Sequence, residues 1–211
     1  MPAPKGFLED VPNIFQDAQR SLATHRKNAT ALRKIIQKHC KNEETELSFI
    51  NEFFRNLNKI LVVKKGQIAA DRSLKFVVEF IKFSNEKEMD VDVIDIDDVE
   101  EENGFTTRFI ESLFNHLLKG ISSKNKVVRY RVCQLIALSL DTLTEMDDEM
   151  YQNLINNLRL RVIEKDANIR VNAAIALSRL LVNDDSNDDD MDEDSNEESV
   201  LTILINMIQF D

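Results

Sequence analysis

The stretch "KNKVVRYRVCQLIALSL" runs from Lys124 to Leu140, and "KDANIRVNAAIALSRLL" runs from Lys165 to Leu181. The two begin 41 residues apart and share one order: a polar turn, a branched apolar residue, an arginine, then an apolar helix. Val128 and Arg129 match Ile169 and Arg170, and Val132, Cys133, Leu135 and Ile136 match Ala173, Ala174, Ala176 and Leu177. The helix before each stretch repeats as well. Ile110, Leu113, Phe114, Leu117 and Ile121 fall on Tyr151, Leu154, Ile155, Leu158 and Val162 at the same offset.

A period of about 40–47 residues with two helices per unit predicts an all-α HEAT-repeat α-solenoid, an α–α superhelix. Such units cannot bury an apolar face alone. They stack, and the stack offers a long surface to a partner rather than a reaction pocket. Working outward, apolar spacing places helices at 106–121, 126–142, 147–163 and 168–181, and earlier ones at 14–22, 26–40, 43–63 and 68–83. Pro12 reads as the signal that starts the first of these. A last helix at 199–210 reads as half of a further pair, which predicts that the chain is the N-terminal piece of a longer protein. The whole of 1–211 is then one HEAT-repeat segment, interrupted by an acidic loop at 85–104, with at most a frayed helical turn, and an acidic disordered loop at 183–198.

Glycine (4) and proline (3) are scarce, which favours helices over a sheet-rich fold. No apolar run approaches the ~18 residues that span a membrane, and the N-terminus lacks the apolar core of a secretory signal. Cys40 and Cys133 sit in helical apolar patterns and read as buried free thiols of a reducing compartment.

The net charge of −11 conceals an uneven distribution. Residues 86–102 carry −9 and residues 183–198 carry −10, which leaves +8 on the rest of the chain. A basic body with two acidic tracts is compatible with nucleic-acid binding, whereas a uniformly acidic surface is not.

Three stretches, "VVRYRVCQLI", "IRVNAAIALSRL" and the opening "IFQDAQRSLATHRKN", resemble the N-terminus of the G-type HEAT-repeat subunit of condensin. The resemblance covers essentially the whole chain and a fraction of that family's length. It implies a non-enzymatic, non-SMC subunit that binds the kleisin subunit and reaches the SMC ATPase subunits indirectly through it. With kleisin it would grip double-stranded DNA without sequence specificity during mitotic chromosome condensation. It implies a place in the nucleus and on chromosomes, with a cytoplasmic pool, and no cofactor, membrane or small-molecule substrate. The alternative is a HEAT-repeat peptide-binding scaffold or transport adaptor with no DNA role.

Basic residues in the turns are the candidate phosphate contacts: Lys64, Lys65, Lys124, Lys126, Arg129, Arg131 and Lys165. Stacked turns would align them along one edge, and each phosphate they neutralise releases counterions. Such contacts hold a duplex without reading its bases. Arg129 and Arg170 also have a structural reading, pairing with turn carboxylates such as Asp166 or with helix ends. The acidic tracts read as disordered spacers. Two sharper readings stand beside that one. "VDVIDIDDVEE" at 91–101 resembles motifs that add a strand to a ubiquitin-like modifier. Ser186 and Ser195 each have an acid three positions on and suit an acid-directed kinase. No catalytic constellation and no metal spacing is present: the three histidines are scattered, and "DVDVIDIDD" lacks the glycine of a calcium loop.

Overall fold

The structure is a computed structural model that describes residues 5–89, 96–143 and 146–184, together with Thr202 and Ile205 singly. The described residues contain helices and no strand: α1 Lys5–Ala18, α2 His25–His39, α3 Glu43–Leu61, α4 Ile68–Met89, α5 Ile96–Ile121, α6 Lys126–Ser139, α7 Asp148–Val162 and α8 Ala167–Asp184. The chain divides into two compact units, and the division falls within α5, after His116.

In the first unit α1, α2, α3 and α4 pack on one another. Their core is aromatic. The Phe53 ring lies 5.0 Å from Phe15, 5.8 Å from Phe80 and 5.0 Å from Phe109, centroid to centroid. Asn42 starts α3 with a capping box, its Oδ1 accepting from Thr45 N while Thr45 Oγ1 accepts from Asn42 N. That pair satisfies donors the first turn would otherwise leave open. Gly66 ends the α3–α4 turn at φ +87°, a conformation that costs a side chain about 1–2 kcal/mol.

In the second unit α8 packs on both α6 and α7. Leu154, Leu158, Ile169, Ala173, Ala176 and Leu177 are fully buried, on the helical spacing expected of them. Gly120, near the end of α5, lies against α6. A Cβ at this position would stand 2.8 Å from Val132 Cγ2. Valine in a helix keeps one χ1 rotamer, so it cannot swing aside. The Gly120→Ala change gains up to ~1 kcal/mol of helix propensity and meets an overpacking cost of about 1–3 kcal/mol. We expect a net loss of about 1 kcal/mol by urea denaturation; a stabilised variant would show that α6 moves away freely.

Three elements differ from the sequence reading. The first helix begins at Lys5, so Pro12 lies inside α1 rather than starting it. Buried Val11, Phe15 and Ala18 run on through the proline, and their packing holds a helix that propensity alone would end. The segment read as an acidic loop at 85–104 is helical at both ends, since α4 continues to Met89 and α5 starts at Ile96. The 126–142 helix closes as a 3-10 turn over Leu140–Thr142. The acidic tract from 185 to 198 and, apart from Thr202 and Ile205, the 199–210 helix lie outside the described residues.

Candidate nucleic-acid interface

The turns of the second unit are built by the repeat itself. Asn125 caps α6, its Oδ1 accepting from Val127 N at 2.9 Å. Asp166, 41 residues on, does the same for α8, accepting from Asn168 N at 3.0 Å. The repeated arginines close the same turns. Arg129 Nη1 donates to the carbonyls of Ser123 and Lys124, at 2.8 and 3.1 Å. Arg170 Nη1 donates to those of Glu164 and Lys165, at 3.1 and 3.3 Å. Each arginine thus reaches back five and six residues to carbonyls of the turn that follows the preceding helix.

Arg129 carries a second duty. Its Nε and Nη2 grip both oxygens of Glu164 at 3.1 and 2.9 Å, and Arg161 Nη1 reaches Glu164 Oε2 at 3.1 Å. The three side chains are 15–18% exposed. This geometry corrects two of the expected phosphate contacts. Arg129 is committed to Glu164 and to the turn. Arg131 is fully buried, with its Nη1 donating to Gln134 and its guanidinium 5.3 Å from the Tyr130 ring. A side chain without solvent access cannot neutralise a phosphate. Asp166, the carboxylate expected to pair with the arginines, instead meets Lys126 Nζ at 3.1 Å. That ammonium holds the Asp166 carboxyl below its usual range, although partial burial opposes the shift. The resulting stabilisation is present above the ordinary carboxylate range and is lost as pH falls through the lowered value.

The lysines stay at the surface. Lys124, Lys126 and Lys165 are exposed in the second unit, and Lys64 and Lys65 are exposed in the α3–α4 turn of the first. Lys126 keeps 64% of its side chain in solvent despite its ion pair. Ser186, Ser195 and residues 91–95 of the strand-like motif lie outside the described residues.

A further basic element was missed by the turn-by-turn reading. From Ala18 to Asn42 the chain carries seven lysines and arginines and no acidic residue. Arg26 is tied to α4 although half of its side chain is exposed, bonding to Glu79 at 3.3 Å and Glu86 at 2.8 Å with its guanidinium over the Phe83 ring. Lys27, Lys34 and Lys38 of the same helix are exposed. Charge counted helix by helix, rather than over the whole chain, would have found them.

The first unit also has an open groove of about 340 Å³ between α1, α3 and α4, floored by Phe15, Ile60 and Ala70 and edged by Gln16, Gln67 and Lys59. Burial pushes the Cys40 and Cys133 thiols up to about 12, so neither is a nucleophile at neutral pH. Among the described residues no three His, Cys, Asp or Glu side chains stand together as a metal site, and no helix is long and apolar enough to cross a membrane.

Two-helix units at a 41-residue offset, each with the same cap and the same arginine in its turn, place the fold in the HEAT-repeat class. Comparison with known proteins gives that class particular relatives. The chain is 34% identical over 167 residues to condensin complex subunit 3 of Schizosaccharomyces pombe, and 32% identical over 173 residues to that of Saccharomyces cerevisiae. These matches cover 79% and 82% of the chain but only 16% and 17% of the relatives. The chain thus spans about one-sixth of their length. Its fold matches a crystal structure of the S. pombe condensin Cnd3–Cnd2 subcomplex with a TM-score of 0.69 and 30% identity, over 95% of this chain and 21% of that one. No family model matches.

Proposed function

We propose that the chain is part of a non-SMC, non-enzymatic condensin subunit, and that it binds duplex DNA through phosphate contacts while its complex holds a kleisin partner. The exposed turn lysines, Lys64, Lys65, Lys124, Lys126 and Lys165, carry the DNA reading. All five are exposed, and Lys126 keeps most of its side chain in solvent beyond its pair with Asp166. Lysine suits this work as a compact point charge that meets phosphate without demanding a base sequence. The kleisin partner is supported by the likeness to the Cnd3–Cnd2 subcomplex. A role on chromosomes follows from the same kinship and rests on it.

Duplex affinity measured against salt, with and without the kleisin segment, tests this reading. Binding should weaken steeply with salt and strengthen with kleisin. Replacing Lys64, Lys65, Lys124 and Lys165 with glutamine leaves the Lys126–Asp166 pair intact. It should flatten the log–log slope by up to about 3.6, at ~0.9 per contact. An unchanged slope in a folded variant removes these lysines from the interface. Absence of binding in every state favours the scaffold reading, for which the α1–α3–α4 groove is the structural argument.

A further inference from the structure

We propose that α2 carries a second phosphate-binding surface, a stripe formed by Lys27, Lys34 and Lys38, which engages the backbone of duplex DNA. The proposal rests on the DNA reading above and adds a site to it. Seven residues return a helix to within about 20° of its starting direction, and eleven do the same from the other side. The three ammonium groups therefore share one face, about 10 and 6 Å apart along the axis. All three side chains are exposed, and among the described residues none is joined to a carboxylate.

The stability of α2 does not account for this pattern. Positive charge is favourable at a helix C-terminus and unfavourable at its N-terminus. Lys38 in the last turn fits that rule. Lys27 breaks it, because the first turn of α2 has no acidic residue and Thr24 makes no side-chain cap there. The helix thus keeps a cation where its own dipole resists one. Neighbouring acids do not neutralise the stripe either, since Glu79 and Glu86 of α4 are occupied by Arg26.

Phosphate suits the stripe better than an acidic protein does. Lysine is depleted at protein–protein interfaces, whose centres are apolar. None of the large apolar side chains of α2 is exposed. Lysine point charges on a rigid helix are what sequence-independent backbone contacts use.

The test is fluorescence anisotropy of a labelled duplex of about 30 base pairs, titrated with the 211-residue chain at several salt concentrations. Lys27→Gln, Lys34→Gln and Lys38→Gln together replace lysine with a residue of similar helix propensity. The log–log salt slope should fall by about 2.7 and affinity by roughly tenfold or more. Lysine-to-arginine changes at the same three positions should keep the slope. A slope equal to wild type, when the turn-lysine variant does lower it, overturns the stripe and leaves the DNA reading standing. If the wild-type chain binds no duplex, both fall. A glutamine variant that releases a polyglutamate probe but holds DNA as before assigns the stripe to acidic protein, which also overturns the proposal.

Discussion

Phe53→Ala should cost the chain about 4 kcal/mol, within the range of about 3–5 kcal/mol for emptying a buried phenylalanine site. Phe53 is wholly buried and stands among five other rings, from α1, α3, α4 and α5. Two of its contacts are edge-to-face at 5.0 Å, which adds to the area it buries. Rings are stiff, so the neighbours cannot collapse into the space as aliphatic side chains partly can. The loss would lower the melting temperature by about 10 °C or more. Thermal and urea melts followed by circular dichroism measure it. Phe53→Leu should recover a good part of the loss, because it restores volume without the edge contacts. A cost under about 1.5 kcal/mol would mean that the ring cluster repacks.

Glu164→Ala should cost about 3 kcal/mol, near the low end for breaking a buried pair. One carboxylate serves two guanidinium groups, and its removal leaves Arg129 and Arg161 facing each other with little solvent. The remaining like charges are the larger part of the penalty. Glu164→Gln keeps the shape and one acceptor, so it should fall between wild type and alanine. The double variant Arg129→Ala/Glu164→Ala should cost less than the sum of the singles, since it removes both ends of the pair. Strict additivity would mean that the clasp seen in the structure carries no coupling in solution.

The second unit was legible because its pattern is local. The 41-residue offset placed α6, α7 and α8 within three residues of their observed ends. The same offset pairs Asn125 with Asp166 as caps, a detail that lies in the repeat. Arg131 was misread for a physical reason. Sequence presents it as a charge beside Arg129, while helical spacing sets it in line with Leu135 and Ser139, both buried. Charge suggested the surface, and period placed it inside. The start of α1 was misread because Pro12 is a strong local signal, and the packing of Val11 and Phe15 that overrides it is tertiary. Lys27, Lys34 and Lys38 stand out only when charge is counted helix by helix, because the +8 left after setting the acidic tracts aside does not say where on the chain it sits. Glu164 could not have been singled out from its own neighbours, since its main partner lies 35 residues earlier.

That separation sets an order of events during synthesis. The bonds from Arg129 to the Ser123 and Lys124 carbonyls span at most six residues, and the cap by Asn125 spans two. They can form as soon as that short stretch has left the ribosome. Glu164 follows 35 residues later, which at ~5–20 residues per second is a delay of a few seconds. For that interval the partners of the Arg129 guanidinium already synthesised are the carbonyls of its own turn, and its carboxylate is still to come. The nascent chain can therefore set the bend between α5 and α6 first and fasten it to the next repeat afterwards.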